Sequence, residues 1–305
     1  MKETDPAKAF VLLFGVMVIA GGALFARTGI SVGATGFQLS LWRVTLASGL
    51  LVLFSFVRPA PLSERRLSRP EVLTIGFAGV CLALHFWTWI ESLRYVSVAR
   101  STLLVSTSPL FAGLAALFVP SMRPGKWFWW GLLLSALGVA IFSSTEHFAS
   151  SRTLLGPSWV GDLLAVAGAI FVVPYLVYSQ KLQASFGTRR TVTLIYGAAA
   201  LALWAGALGQ REWTPPSAPL FWVGAVGMAV FSQLIGHTTL NWSLLHFSPG
   251  QVTSATLLEP VFASLLAWVL LGEAVTIGQA IGGVILLAGV GLTLRVPAVP
   301  VASVE

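Results

Sequence analysis

An acidic residue followed by a proline interrupts an apolar run near the C-terminal end of the chain. Glu259 and Pro260 lie inside a run that continues to Leu271, and a membrane helix there would hold the carboxyl near the middle of the hydrocarbon. A carboxylate at that depth costs about 2.5–3.5 kcal/mol on insertion scales, so it should face a cavity or a partner. The proline lacks an N–H and leaves a carbonyl one turn earlier without its helical partner. The pair predicts either a functional site at a helix break or a protonated glutamate bonded within a static bundle.

Polar side chains in four other apolar runs are candidates for the same site. Arg43 either faces the interior, towards a substrate carboxylate or Glu259, or snorkels outward. His85 offers a titratable group beside the aromatic wall of Trp89, one turn later. A buried histidine bonded to a backbone carbonyl is the structural alternative. The other candidates are Ser92, the pair His237 and Asn241, and the hydroxyls of Tyr175 and Tyr178, which follow Pro174.

These residues are not accompanied by the motifs of an enzyme centre or an ATP-driven pump. The sequence lacks an HExxH motif, a P-loop and a nucleophile elbow, and its histidines lack metal-ligand spacing. The single cysteine, Cys81, excludes an intrachain disulfide. The sequence therefore predicts no catalytic residue, metal or cofactor. The expected chemistry is binding, charge compensation and conformational change.

The chain that positions these residues has the composition of an integral membrane protein. Of its 305 residues, 56% are hydrophobic and 10% are charged, with a mean hydropathy of +0.85. A soluble domain carries about 25% charged residues. The net charge of +7 is compatible with nucleic-acid binding at first sight. The basic residues lie between apolar runs, however, which is typical of membrane topology signals and excludes a basic nucleic-acid-binding domain.

Apolar runs bounded by charge, proline or glycine predict ten membrane spans. The predicted spans are roughly 9–26, 36–57, 71–93, 97–119 and 126–144, followed by 158–179, 191–209, 219–244, 250–271 and 275–294. Basic residues are then unequally divided between the two sides of the membrane. One side has Lys2, Lys8, Arg58, Arg65, Arg66, Arg69, Arg123, Lys126, Lys181, Arg189, Arg190 and Arg295, and the other has Arg27, Arg94, Arg100, Arg152 and Arg211. The bias predicts a multi-pass protein of a bacterial-type inner (plasma) membrane with both termini in the cytoplasm.

The two halves of the chain are similar in sequence at a shift of 151 residues. The shift aligns Ser106–Ala112 with Leu257–Ala263, Pro109 with Pro260, Gly131 with Gly282, and Gly138 with Gly289. Each copy contains five predicted spans, an odd number, so the copies have opposite orientations in the membrane. Inverted repeats are typical of secondary transporters, whose substrate sites lie near the midplane between the repeats. The predicted boundaries are 1–150 for the first repeat and 151–305 for the second.

Several segments carry a resemblance to a known family. The second half contains Leu-Glu-Pro-Val-Phe-Ala, then Leu-Leu-Gly-Glu and a glycine-rich last span, and Gly-Asp-Leu-Leu opens the second copy. The first half has Arg43 in its second span, followed by Ser-Leu-Arg-Tyr and Ser-Thr-Ser-Pro-Leu segments. With the five-plus-five arrangement, these features resemble the EamA-type members of the drug/metabolite transporter superfamily over nearly the whole chain. One departure is Ser108, which stands where the second copy has Glu259, so the halves are not chemically interchangeable.

The sequence thus predicts an all-α membrane protein with ten transmembrane helices, arranged as two inverted five-helix repeats. The resemblance implies a secondary transporter that exports a small amino-acid-like metabolite or a xenobiotic. Alternating access through a midplane cavity would use helix breaks at Pro109, Pro174 and Pro260. The substrate gradient or proton exchange at Glu259 or His85 would supply the energy. The alternatives are a facilitative importer or exchanger of another metabolite, such as a nucleoside or nucleotide sugar, and a channel, which isolated polar residues disfavour.

Overall fold

The structure, a computed structural model, describes residues 5–57, 66–118, 124–144, 156–210, 213–271 and 275–295. These residues form helices joined by turns and short connections, without a strand. Six helical segments are long and apolar enough to cross a membrane: Pro6–Ile30, Gly36–Val57, Arg69–Ser92, Ser158–Gly209, Pro219–Ser243 and Ile277–Leu294. The prediction of an all-α, multi-pass membrane protein is confirmed.

The first half of the chain forms seven helices. They are α1 (Pro6–Ala20), α2 (Gly22–Ile30), α3 (Gly36–Val57), α4 (Arg69–Ser92), α5 (Val98–Val105), α6 (Ser108–Leu117) and α7 (Lys126–Ser144). The second half contains six α-helices and a π-helix. They are α8 (Ser158–Gln210), α9 (Pro219–Gly227), π1 (Met228–His237), α10 (Thr238–Ser243), α11 (Pro249–Thr256), α12 (Glu259–Leu271) and α13 (Ile277–Leu294).

Helix α8 joins two predicted spans without the loop that the sequence predicts between them. A straight helix of its 53 residues would be about 80 Å long, against about 30 Å for the hydrocarbon core. Gly187 divides it, with φ 69° and ψ 169°. A positive φ is accessible to glycine at little cost because glycine has no Cβ. A single non-helical residue, Gly187, therefore separates the two predicted spans.

Helix boundaries in the two halves follow the same shift as the sequence. α5 coincides with α11, α7 begins 151 residues before α13, and α3 corresponds to the part of α8 after Gly187. The hydroxyls of Ser97 and Ser248 cap α5 and α11, and each accepts from the backbone N–H three residues later. The two halves therefore repeat local structure as well as sequence.

Helices α7 and α13 pack together through glycines. A Cβ on Gly138 would lie 2.8 Å from the carbonyl oxygen of Gly282, and the reverse distance is also 2.8 Å. Gly131 and Gly289 make the same reciprocal contact at 2.7 and 2.8 Å. Because the position numbers rise along one helix as they fall along the other, the helices run antiparallel. Small residues at such crossings allow backbones to approach closely in membrane proteins.

Two pairs of short helices meet end to end at matching positions. Turn residues 106–107 separate α5 from α6, and turn residues 257–258 separate α11 from α12. Pro109 and Pro260 are the second residues of α6 and α12, where a missing N–H has little cost. The breaks predicted at these prolines are present, but each proline begins a new helix instead of interrupting a continuous one. Pro174, by contrast, lies inside α8.

Candidate functional site

A cavity lies between the two helix breaks. Its polar lining consists of His85, Trp89, Ser106, Ser108, His237, Thr253, Thr256 and Glu259. Apolar side chains from α1, α5, α8 and α10 complete the walls. The cavity has a volume of about 40 Å³, and a water molecule needs about 10–15 Å³. In this conformation the cavity has room for a few water molecules, and it must widen before a metabolite can enter.

Glu259 and Ser108 occupy equivalent positions on either side of the cavity. Each is the first residue of the helix that follows a break, and both side chains line the cavity. A negative charge at the N-terminus of a helix is stabilised by the helix dipole. In the parts of the chain that the structure describes, no basic side chain lies within ion-pair distance of Glu259. The carboxyl is therefore available to a proton or to a cationic group of a ligand.

Two histidines, one from each half, also line the cavity. The ring centroids of His85 and His237 lie 6.2 Å apart, and His85 stacks on Trp89 at 6.4 Å. Nδ1 of His85 lies 2.9 Å from the carbonyl oxygen of Gly168. A carbonyl only accepts hydrogen bonds, so Nδ1 carries the hydrogen and Nε2 is left as an acceptor. His85 thus has the backbone bond considered from sequence and still lines the cavity.

Arg43 lies behind the cavity wall and faces the protein interior. Its side chain is 0% exposed, and its Nε donates to Oε1 of Gln233 at 2.9 Å. Nη2 donates to the hydroxyl of Ser232 at 3.3 Å. The guanidinium carbon lies 3.8 Å from the ring centroid of Phe86. The partners of Arg43 are therefore neutral groups, and Glu259, one of the partners considered from sequence, is not among them.

Sequence reasoning missed Gln233 because its role depends on the local helix geometry. Gln233 and Ser232 belong to π1, whereas α4, the corresponding helix of the first half, is α-helical throughout. π-helical turns are rare and occur frequently at functional sites. The only sequence signal was an adjacent hydroxyl and amide within an apolar span, and that signal does not indicate the partner.

Asn241 and Tyr175 belong to a buried network beside the cavity. Oδ1 of Asn241 accepts from the hydroxyl of Ser179 at 2.5 Å, and its amide donates to the carbonyl oxygen of His237 at 2.8 Å. The amide also donates to the hydroxyl of Tyr175. Neither Asn241 nor Tyr175 lines the cavity. Their contacts hold the backbone of His237 in place.

Two other predicted residues lie away from the cavity. The hydroxyl of Ser92 lies 2.6 Å from both the carbonyl oxygen of Trp89 and the hydroxyl of Ser101, so it joins α4 to α5. Tyr178 packs against Phe77, with ring centroids 5.3 Å apart. These contacts place Ser92 and Tyr178 in the surrounding scaffold.

Charged side chains connect the two halves at one end of the bundle, where α4 ends and α8 begins. Arg100 of α5 makes a bidentate pair with Asp162 of α8, at 2.7 and 2.6 Å. Nearby, Arg94 pairs with Glu91 at 2.5 Å, as the sequence spacing allows. Because Arg100 and Asp162 belong to different halves, their pair links the halves at this end.

At the opposite end of the bundle, hydrogen bonds between neutral groups join α8 to the turn that follows α10, both in the second half. The amide of Gln180 donates to the carbonyl oxygens of Leu244 and Phe247, at 2.8 and 3.1 Å. His246 lies in the same turn, and burial, reinforced by the charge of Lys8, lowers its pKa below the usual 6.5. His246 is therefore predominantly neutral at pH 7, and the contacts of Gln180 are hydrogen bonds between uncharged groups.

Comparisons with known proteins agree with this architecture. The chain matches the EamA-like transporter family twice, over residues 7–144 and 159–295. An uncharacterized transporter of Archaeoglobus fulgidus is 25% identical over 94% of this chain and 97% of its own. A probable terminal-alkyne amino-acid exporter of Streptantibioticus cattleyicolor is 35% identical over 32% of this chain and 31% of its own. One solved crystal structure, 17% identical, has a TM-score of 0.72 over 95% of this chain and 96% of that chain, which shows a common fold. This chain is a multi-pass membrane transporter that belongs to the EamA-like transporter family.

Proposed function

We propose that the protein is a secondary active transporter that exports a small organic metabolite, amino-acid-like or xenobiotic, by alternating access. The observation that carries the proposal is the cavity between the two helix breaks, with Glu259 at the start of α12. Substrate sites of secondary transporters lie at such interrupted helices near the midplane. The exporter among the relatives supports outward transport. Expected partners are the substrate, the lipid bilayer and protons.

The proposal includes ten spans arranged as two inverted repeats, 1–150 and 151–305. Helix boundaries related by 151 residues, the antiparallel crossing of α7 and α13 and the two family matches support it. Each interrupted pair, α5 with α6 and α11 with α12, then counts as one span. Both termini lie in the cytoplasm of a bacterial-type cell. Thiol labelling in intact cells tests this orientation, with a variant of the protein in which Cys81 is replaced. Cysteines introduced at positions 66 and 190 should be protected from an impermeant thiol reagent, and one at position 31 should be labelled.

In the proposed cycle the two halves rock about the cavity and open one end at a time. Separating the halves at one end breaks the pair of Arg100 with Asp162. At the other end Gln180, Leu244 and Phe247 all belong to the second half, so their hydrogen bonds move with that half and stay intact. The breaks let α6 and α12 tilt, which widens the cavity. Glu259 then binds a proton or a cationic group of the substrate, and Nε2 of His85 supplies an acceptor.

A binding screen followed by a flux assay tests the proposed function. Purified protein is screened by thermal shift against amino acids, nucleosides, nucleotide sugars and cationic drugs, because ligands of the folded state raise the melting temperature. The best ligand is then loaded into proteoliposomes. The proposal expects saturable flux that an opposing proton gradient accelerates. Saturable flux without such acceleration indicates a facilitator, and flux that rises linearly with concentration indicates a channel.

A further inference from the structure

We propose that Arg43 and π1 form a buried anion site behind the cavity wall, which binds a carboxylate of the substrate or a free monovalent anion. The substrate assignment rests on the proposed transport function, whereas the anion site itself rests on the geometry of Arg43, Gln233 and His237. These side chains are 0%, 0% and 6% exposed. The site adds a second polar contact region behind the cavity wall, beyond ion-pair distance from Glu259.

The first argument is the charge of Arg43. A guanidinium stays protonated in proteins, and an uncompensated charge buried at membrane depth is costly. Among the residues that the structure describes, no carboxylate lies within ion-pair distance of Arg43. Its two hydrogen bonds go to the neutral oxygens of Gln233 and Ser232. Glu259 acts on this charge only from beyond ion-pair distance, and a bound anion would compensate it directly.

The second argument is the set of unsatisfied groups around the guanidinium. Nη1 of Arg43, Nε2 of Gln233 and Nδ1 of His237 are buried and have no hydrogen-bond partner among the residues that the structure describes. Buried polar groups in native proteins are almost always satisfied, and exceptions can mark a ligand, an ion or water. Nη1 of Arg43 is a donor only and needs an acceptor, whereas Nε2 of Gln233 has the hydroxyl of Tyr196 beside it. Hydrogen bonds from a guanidinium to an anion are among the strongest in proteins.

The third argument is how π1 orients the amide of Gln233. Oε1 accepts from Arg43, so the NH₂ group on the same amide carbon is left over as a donor near the guanidinium. His237 follows Gln233 by four residues at the end of π1 and lines the cavity. The π segment therefore brings donors to Arg43 at one end and reaches the cavity at the other.

The fourth argument concerns access from the cavity. The ring of Phe86 is in contact with the guanidinium, 3.8 Å from its centroid, and with the two histidines that line the cavity. Its centroid is 5.0 Å from those of His85 and His237. A change in the position of this one ring would expose Nη1 to the cavity. An anionic group of the substrate could then bind Arg43 while a cationic group of the same molecule faces Glu259, and a ligand with cationic groups alone would be disfavoured.

Binding to the purified protein tests the anion site without requiring transport. Propionate is the carboxylate probe, propionamide its neutral analogue, and chloride against sulfate, a divalent anion, the free-anion arm, each measured by thermal shift. We expect propionate to raise the melting temperature and propionamide to have no effect. In Arg43→Gln the apparent Kd for propionate should rise about tenfold or more, the effect of losing a charge-assisted hydrogen bond. Arg27→Gln is the matched control, because Arg27 is partly buried and donates to a backbone carbonyl.

Each outcome separates the anion site from the proposed transport function. Chloride that competes with propionate in the wild type identifies a free anion as an occupant of the same site. Propionate binding to a folded Arg43→Gln protein within twofold of wild type overturns the proposal. If Arg43→Gln does not fold, Gln233→Leu replaces it, and wild-type propionate binding in that variant overturns the proposal equally. Arg43-dependent binding without flux leaves the anion site intact and removes the transport function, and flux without propionate binding does the reverse.

Discussion

The interrupted helices α5–α6 and α11–α12 have matching backbones and different chemistry. Both begin at a serine cap, Ser97 or Ser248, and both break after the eighth helical residue. Each then restarts with a proline in second position. At the first residue after the break, however, one carries Ser108 and the other Glu259. The repeat therefore provides the shape of the cavity, and the carboxyl comes from one half alone.

The same contrast separates α4 from its counterpart in the second half. α4 is a regular α-helix over Arg69–Ser92, whereas the equivalent stretch is divided into α9, π1 and α10. π1 supplies the residues that bind Arg43, and α4 supplies Phe86 and His85 to the same region. These two departures from the repeat lie in the second half and adjoin the cavity, and a third lies in the first half, where α1 and α2 are separate and the equivalent part of α8 is continuous. Common features of the halves therefore indicate scaffold, and differences between them indicate function.

The largest expected effect tests whether both halves contribute equally to the scaffold. Gly138→Val and Gly289→Val, at positions that the 151-residue shift makes equivalent, each place a side chain against the backbone of the facing helix. We expect each to lower the stability of the purified protein by about 1–3 kcal/mol, the usual cost of overpacking. Gly291→Ala is the control, because no atom lies within 4 Å of the added Cβ. Unequal losses, measured as melting temperatures, would show that the crossing is not symmetric.

The next effect compares the prolines after the two breaks. Pro260→Ala restores a backbone N–H that can donate to the carbonyl oxygen of Thr256. This hydrogen bond would join α11 and α12 into one helix and displace Glu259. Pro109→Ala permits the same change beside Ser108, which carries no charge. We expect Pro260→Ala to slow flux several-fold more than Pro109→Ala. Both stabilities should stay within about 1 kcal/mol of wild type, since proline is tolerated in the first turn of a helix.

Equal flux in the two proline variants would contradict the special role of the second break. Melting temperatures measured on the same preparations separate a change of function from a change of folding. A large rise in stability in Pro260→Ala would show that the break itself is strained.

The smallest effect concerns the ion pair between the halves. Arg100 is about half exposed, so its pair with Asp162 should contribute about 0.2–1 kcal/mol to closure of that end. Modification of a cysteine at position 106 by an impermeant reagent, in protein lacking Cys81, should accelerate about 1.4- to 5-fold in Arg100→Gln. Asp162→Asn should have the same effect, and the double variant should add nothing. Additive effects would show that the two residues act separately, and Lys181→Gln controls for charge at the other end.

Much of the scaffold could be predicted from the sequence because it depends on local patterns. Hydropathy located the helical segments, and the 151-residue shift placed the break at Pro260 opposite the break at Pro109. The contacts of Arg43 with Gln233 and of Arg100 with Asp162 could not be predicted, because they join residues that are 190 and 62 positions apart. π1 could not be predicted either, since its residues have the hydropathy of an ordinary α-helical span. The cavity residues Thr253 and Thr256 were missed because their one distinction is their position beside the break.

The pH dependence of flux in Glu259→Gln proteoliposomes tests most directly whether the second half supplies the titrating group of the cavity. The variant keeps the shape of the side chain and removes its titration. We predict that wild type and Ser108→Ala show flux that varies between pH 5 and 8, and that Glu259→Gln is folded and shows no such variation. His246→Gln should retain the wild-type profile, because His246 lies outside the cavity. Wild-type rates and an unchanged pH profile in Glu259→Gln would show that Glu259 is structural.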